Sequence, residues 1–290
     1  MGQPLFVGKL GRERRIAHMA IIDGRKIAGE ILDALKLRTK PEKFFGAALV
    51  GDDSASLSFL RQKEKAAKAL GIDFRLYKLA ADMTTDELRR KIGRLAGAST
   101  CGGFIVQLPL PGHINRRYVL NAVPAPKDVD VLSESSRRAF AVGKKPILPP
   151  AVAAADEIMR RQGKRLSELS VAVIGAGFLV GGPIRVWLEP RIKKLHAFDE
   201  HTENLQDKLA EADLVISGAG SPKLFRAKHL KKGAVVIDFG SGLLDGRVAG
   251  DFDPEGSEAK DVAYTPTPGG TGPILVAKLF ENFYTLNPSA

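Results

Sequence analysis

Three residues carry side chains and settings suited to acid–base chemistry: Lys63, Gln107 and Asp130. Ser56, Phe59, Leu60 and Lys63 fall at i, i+3, i+4 and i+7, so one helical face carries all four. A lysine on an otherwise apolar face loses hydration. Its pKa is then pushed down toward the range where it can move a proton near neutrality. On spacing alone, the commoner reading is a lysine whose stem covers apolar surface while its amine stays in water. Gln107 closes GGFIVQ (102–107), in which Phe104, Ile105 and Val106 form an apolar run suited to a strand buried on both faces. Pro109 and Pro111 stop that strand. Ligands of open α/β sheets bind beyond the carboxyl ends of strands, and a buried amide there needs partners that a ligand can supply. Asp130 follows at the end of KDVD (127–130). The set marks a small-molecule site.

A second constellation lies in VAVIGAGFLVGGPIRVWL (171–188), where Gly175, Gly177 and Gly181 give G-x-G-x-x-x-G between a strand and a helix. Glycines there permit a tight turn and bring a pyrophosphate close to a helix N-terminus, whose N–H groups favour anions. The spacing is one residue longer than the common dinucleotide fingerprint, and a turn that only packs helix on sheet is the alternative. Asp199 ends the next strand, 24 residues after Gly175. A carboxylate there holds the ribose 2′-hydroxyl of NAD and repels the 2′-phosphate of NADP, so the expected cofactor is NADP or NAD, with NAD favoured. Ala176, Val180, Gly218 and Gly240 are assigned to the same cofactor site.

The elements that must position these residues alternate between strand and helix patterns from about residue 20, the α/β signature. Expected strands are 44–50, 72–79, 103–108, 195–198, 213–217 and 234–238. Expected helices start near Ser54, after the capping pair Thr84 and Glu87, near Ala151, after the glycine turn, around Leu205–Leu209 and at Pro273. Residues 112–148, rich in proline, read as an irregular inter-domain region. Residues 1–18 read as a loosely ordered extension, with Met19 opening the domain.

Across 290 residues the net charge is +11, but the basic residues are dispersed, which describes solvated faces better than a nucleic-acid footprint. The charge suits an anionic ligand. One cysteine, Cys101, excludes an intrachain disulfide and a cysteine-rich metal site, and makes the reducing cytoplasm the expected compartment. No run approaches a membrane span, and the histidines lack metal-ligand spacing, so neither membrane nor metal is expected.

VGDDSAS (50–56) with Lys63, then GGFIVQLPLP, PKDVD, the glycine turn and TPTPGGTGP (265–273) occur in one order. That series closely resembles the bifunctional methylenetetrahydrofolate dehydrogenase/methenyltetrahydrofolate cyclohydrolase family, from about Ile21 to Leu286. The resemblance implies two α/β domains across a cleft in a homodimer. A catalytic folate-binding domain spans 20–132, and a Rossmann-like NAD(P)-binding domain spans 133–288, its last helix packing back on the first. It implies Lys63 as the residue that handles protons when water adds to the methenyl bridge, Gln107 as its tuning partner, and Asp130 as the carboxylate gripping the pterin. Ser56, Phe59, Leu108 and Pro109 are implied in substrate binding, with Pro268, Gly269 and Gly270 as a loop over the folate. The implied partners are tetrahydrofolate derivatives, with single or extended glutamate tails, and no nucleic acid.

This chain departs from the family pattern at several points. Phe59 stands for a tyrosine, Val131 for a glycine, Pro149-Pro150-Ala151-Val152 for proline-cysteine-threonine-proline, Gly175-Ala176-Gly177 for glycine-arginine-serine, and Leu275 for a threonine. Two readings follow: a working enzyme with altered cofactor preference, or a divergent paralogue that binds a related ligand without the reaction. An NAD-dependent dehydrogenase of another small substrate and a nucleic-acid-binding or scaffolding protein complete the alternatives.

Overall fold

The computed structural model describes residues 21–288. The extension expected over 1–18 and the domain start near Met19 lie outside the described residues.

The first half is built on three parallel strands in the order β2-β1-β3: β1 (Phe44–Val50), β2 (Phe74–Leu79) and β3 (Cys101–Val106). β1 and β3 are buried at every position, as continuous apolar runs require. Around them pack α1 (Gly24–Lys36), α2 (Ser54–Leu70) and α3 (Thr85–Gly97). Each helix starts at a side-chain cap: Asp23 accepts the Arg25 and Lys26 N–H groups, Asp53 that of Ser56, and Thr84 forms the expected capping box with Glu87. α2 ends at Gly71 in a left-handed conformation, and the Ile72 N–H closes onto the Ala67 carbonyl at 2.9 Å. That helix end consumes Ile72, so the strand expected from residue 72 begins only at Phe74.

Residues 112–148 are more regular than expected. They contain α4 (Arg116–Leu120) and α5 (Glu134–Ala141), started by the side chains of Asn115 and Ser133. Both are too short for helical periodicity to show. α6 (Pro150–Arg161) follows, with proline at its first position, where the missing N–H costs nothing.

The second half holds a five-stranded parallel sheet in the order β12-β8-β6-β4-β5, comprising β4 (Ser170–Ile174), β5 (Lys194–Phe198), β6 (Leu214–Ser217), β8 (Val235–Asp238) and β12 (Ala263–Tyr264). α7 (Gly181–Leu188) leaves the glycine turn. The helix expected around Leu205–Leu209 shrinks to α8 (Leu205–Lys208) and a 3-10 turn. Two small pairings were not foreseen because their strands run only two or three residues: β7 (Phe225–Arg226) beside β11 (Phe252–Asp253), and β9 (Gly242–Leu244) against β10 (Arg247–Ala249). α9 (Ser257–Lys260) precedes β12.

α10 (Thr271–Leu286) returns to the first half. Phe283 stacks on Phe45 with ring centroids 4.9 Å apart, and Phe280 meets the same ring edge-on at 5.3 Å. Gly103 of β3 makes room: a Cβ there would sit 2.8 Å from the Phe283 ring. Lys278, only 4% exposed, places its ammonium 2.8 Å from Glu157 of α6, which also accepts from Arg161 at 2.7 Å. Arg161 reaches Glu30 of α1 as well. No described helix is long and apolar enough to cross a membrane.

Burial opposes the charge of Glu157, but the Lys278 and Arg161 hydrogen bonds outweigh it and hold the carboxyl down at about 2. A depressed carboxylate stabilises the fold above its ordinary value of 4.5 and loses that contribution as pH falls through 2. Lys278→Met strips one partner from a buried charge, so unfolding free energy is expected to fall by about 2–3 kcal/mol at pH 7. Urea denaturation at pH 7 and at pH 3 measures both the loss and its shrinkage in acid.

Candidate active site

A cleft of about 680 Å³ opens where the carboxyl ends of the two sheets face one another. Lys63, Gln107 and Asp130 meet on its wall. The Lys63 Nζ donates to Gln107 Oε1 at 2.7 Å, spanning from the third turn of α2 to the end of β3. The Gln107 amide nitrogen donates to the Leu108 carbonyl at 2.9 Å. The partners expected from a ligand are thus supplied by the protein: Lys63 satisfies the amide oxygen. Burial pushes the Lys63 pKa below the ordinary lysine range, and the charge of Asp130 pulls it back up. Asp130 is pushed up to about 6, first by burial, with Lys63 opposing and Asp128 adding to the rise.

The KDVD run places Asp130 through the residues around it. Lys127 donates to the Ala96 and Ala98 carbonyls at 2.9 and 2.6 Å, closing the end of α3. Asp128, buried, accepts the Leu132 and Ser133 N–H groups at 3.2 and 2.8 Å. Val129 is core, and its carbonyl accepts from Asn282 of α10 at 2.9 Å. Val131 has φ 58°, a left-handed conformation that strains a β-branched residue. The backbone keeps the conformation suited to a glycine even though a valine occupies it, so Asp130 is held in the turn despite that departure.

Ser56 and Phe59 line the cleft from α2, and Leu108 and Pro109 from beyond β3. Ser56 is spent on structure: its hydroxyl donates to the Leu108 carbonyl at 3.3 Å, tying α2 to the strand end. Pro268, Gly269 and Gly270 are not on the wall. They pack against the start of α1, where a Cβ on Gly24 would lie 1.7 Å from the Gly270 carbonyl oxygen. Their loop approaches the site through Gly272, where an added Cβ would stand 3.9 Å from the Phe59 ring. Leu275 and Leu279, one turn apart on α10, do line the cleft, as do Arg137, Arg138 and Phe178. Sequence reasoning missed these four beyond Leu275. Of them only Leu279 carried a signal, the i, i+4 spacing from Leu275.

The opposite wall fits a dinucleotide. Gly175 has φ 89°, and a Cβ on Gly181 would fall 1.8 Å from the Gly175 carbonyl oxygen, so turn and helix approach as closely as only glycine allows. α7 has no side-chain N-cap; the Gly182 N–H closes onto the Gly177 carbonyl at 3.0 Å and Pro183 has no N–H, so the turn tightens directly into the helix. Gly177 meets no protein atom closely, whereas Gly218 abuts Val180 across the turn. Val180 lines the cleft; Gly175, Ala176, Gly177 and Gly181 stand behind it. Asp199 is exposed after β5, where its Oδ1 accepts from the His201 N–H and the Thr202 hydroxyl, each at 3.1 Å. Gly240 is packed against buried Asp251, whose carboxylate accepts from Ser217 Oγ and the Ala219 and Ser221 N–H groups at 2.6–2.8 Å. Asp238 is pushed up to about 7, first by burial, with its Phe252 and Gly240 N–H bonds opposing and the charge of Asp251 adding to the rise. This carboxyl pair fixes the loops beyond β6 and β8.

Residues 22–130 match the family model described as tetrahydrofolate dehydrogenase/cyclohydrolase, catalytic domain, and residues 149–289 that described as its NAD(P)-binding domain. The chain belongs to the tetrahydrofolate dehydrogenase/cyclohydrolase family. It is 35% identical over 269 residues to the bifunctional protein FolD of Agathobacter rectalis, covering 90% of this chain and 96% of that one. Among solved structures it resembles the bifunctional FolD of Campylobacter jejuni (TM-score 0.87, 30% identity, 92% and 98% of the two chains). The Trypanosoma brucei FolD complexed with NADP cofactor and inhibitor matches with a TM-score of 0.84 at 30% identity over 92% and 96%. The two-domain α/β architecture inferred from sequence is that of the family, and the second domain is an NAD(P)-binding one.

Asp130 binds its proton more tightly folded than unfolded, so stability falls as pH rises from 3.8 through about 6, and the full cost is present above 6. Asp130→Asn removes that charge. Its melting temperature is expected above wild type at pH 8 and level with it at pH 4, read by calorimetry on the ligand-free protein.

Proposed function

We propose that this chain oxidises 5,10-methylenetetrahydrofolate to 5,10-methenyltetrahydrofolate with a nicotinamide dinucleotide, and hydrolyses that product to 10-formyltetrahydrofolate. The observation that carries the reading is the 2.7 Å Lys63–Gln107 hydrogen bond beside Asp130, in a cleft faced by a nucleotide-type glycine turn. In this reading residues 20–132 form the folate-binding domain and 133–288 the NAD(P)-binding domain, with α10 returning to the first. Asp130, ionised above about 6, accepts two N–H groups from the pterin's amino-pyrimidinone edge. Phe59 stacks on the folate, and Ser56, Leu108 and Pro109 shape its bed, while the Pro268–Gly270 loop leads into the first turn of α10, whose Gly272 lies beside the Phe59 ring. The net charge of +11 suits a ligand ending in one or several glutamate carboxylates.

The dinucleotide, held by Gly175, Ala176, Gly177, Val180, Gly181, Asp199, Gly218 and Gly240, supplies the hydride acceptor for the methylene carbon. The remaining chemistry is proton transfer by Lys63. Burial lowers its pKa and so favours the neutral amine, the form able to take a proton from water as the water oxygen adds to the methenyl carbon. Gln107 Oε1 then holds the ammonium that forms, and Asp130 stabilises its charge. The same ammonium returns that proton to the ring nitrogen as the carbon–nitrogen bond breaks, while the remaining hydroxyl proton leaves to solvent as the formyl C=O forms. Asp199 and the uncharged Ala176 favour NAD over NADP. A cytoplasmic homodimer completes the proposal.

Spectrophotometric assay with methylenetetrahydrofolate is expected to give reduced nicotinamide with NAD at a higher kcat/KM than with NADP. Absence of turnover with both would overturn the dehydrogenase half, and a higher value with NADP the cofactor preference. Lys63→Met is expected to slow methenyl hydrolysis by about 100-fold or more while folate binding survives. For wild type, KM for folate should rise as pH falls through about 6, as Asp130 takes up its proton. Hydrolysis undiminished in Lys63→Met would remove Lys63 from the mechanism.

A further inference from the structure

Phe178 lies at the tip of the glycine turn, in the second half of the molecule, yet its ring packs on the core of the first half beside Leu108 and Leu110. Two guanidiniums from separate elements sit on that one ring. Arg116, at the start of α4, and Arg137, in α5, each place Cζ 4.3 Å from its centroid. Among the described residues neither arginine forms an ion pair; the nearby carboxylate of Glu134 is taken by Arg117. Burial makes the charge of Arg137 costly, and Arg116 adds to that cost. Two guanidiniums held side by side without an ion-pair partner suit an anion, because guanidiniums bind phosphate oxygens in a charge-assisted fork.

The glycine turn itself brings no cation: Ala176 and Gly177 are uncharged, and α7 begins without a side-chain cap. A pyrophosphate seated there carries two negative charges against backbone N–H groups alone. We propose that Arg116 and Arg137, clasped on Phe178, form an oxyanion site through which the first half of the molecule grips the pyrophosphate of the nicotinamide dinucleotide. Arg137 and Phe178 both line the cleft, whereas the ribose 2′ position falls at Asp199 beyond β5, so the pyrophosphate is the phosphate within reach. The proposal rests on the dehydrogenase reading of the cleft. Its consequence is that cofactor binding ties the two halves together.

Calorimetric titration of the full-length protein tests it, with NAD, NADP and inorganic pyrophosphate as probes for wild type, Arg116→Ala, Arg137→Ala and Arg137→Lys. Each alanine variant is expected to bind NAD and NADP about tenfold more weakly, by the same factor for both, and to show a shallower salt dependence. The lysine variant, which keeps charge but not the stacked fork, should fall between. The ligand-free alanine variants should melt no lower than wild type, because a like-charge contact has been removed, while the stabilisation added by NAD shrinks. Unchanged dinucleotide affinity would overturn the clasp. So would a loss confined to NADP, which indicates the 2′-phosphate, or one seen only as a raised KM for folates with extended glutamate tails. A wild-type chain that binds pyrophosphate but no dinucleotide keeps the clasp and removes the dehydrogenase reading, and one that binds neither overturns both.

Discussion

The site depends on withdrawing the Lys63 amine from water without leaving it unpaired. An isolated buried ammonium is too costly to persist, so the surrounding structure supplies one amide oxygen at 2.7 Å and one carboxylate at longer range. Each partner needs its own support. Gln107 is where it is because β3, a fully buried edge strand of its parallel sheet, ends at Val106 ahead of Pro109. Asp130 is held because Asp128 pins the turn and Asn282 of α10 holds the Val129 carbonyl. The opposing shifts are the outcome: the acid goes up to about 6 and the amine comes down, each away from its ordinary range and toward the other.

That dependence runs through both halves of the chain. α10 belongs to the second half by sequence, but its aromatic face packs on β1, its Asn282 steadies the Asp130 turn, and its Leu275 and Leu279 wall the cleft. The Lys278–Glu157–Arg161 set joins α10 to α6 and α1. A buried ion network of this kind adds little net stability over an apolar equivalent, but it specifies one relative placement of three helices. The wall that carries Lys63 and Asp130 is therefore built from both ends of the chain.

Much of this was legible in the sequence because it obeys local rules. Continuous apolar runs announced β1 and β3, the Thr84–Glu87 box announced α3, and i, i+4, i+7 spacing placed Ser56, Leu60 and Lys63 on one face. What escaped was set by tertiary packing. Nothing local says that Gly71 ends α2 so as to absorb Ile72, or that β7, β9, β10 and β11 pair across two or three residues. Asp238 ends an apolar strand and Asp251 lies in a short loop, and only the fold shows them holding the loops beyond β6 and β8. Pro268, Gly269 and Gly270 were conspicuous by type, yet glycine is required at 269 by a φ of 103° and at 270 by the Pro266 carbonyl oxygen 2.5 Å from where a Cβ would lie, rather than by the cleft.

The departures from the family pattern have a common physical direction, since each replaces a polar or flexible group by an apolar one. Phe59 offers no hydroxyl, Pro150–Ala151–Val152 no thiol or threonine, and Leu275 no hydroxyl. Fewer dipoles around Lys63 mean stronger desolvation of its ammonium and a lower pKa, with Gln107 as its one hydrogen-bond acceptor among the described residues. A lower pKa raises the neutral fraction of the amine at pH 7, which offsets the loss of an auxiliary hydroxyl in taking a proton from water. The same apolar wall shields the cleft from bulk water and strengthens the attraction between Lys63 and Asp130. With those hydroxyls absent, the Lys63 amine relies on Gln107 for its hydrogen bond and on Asp130 for its countercharge.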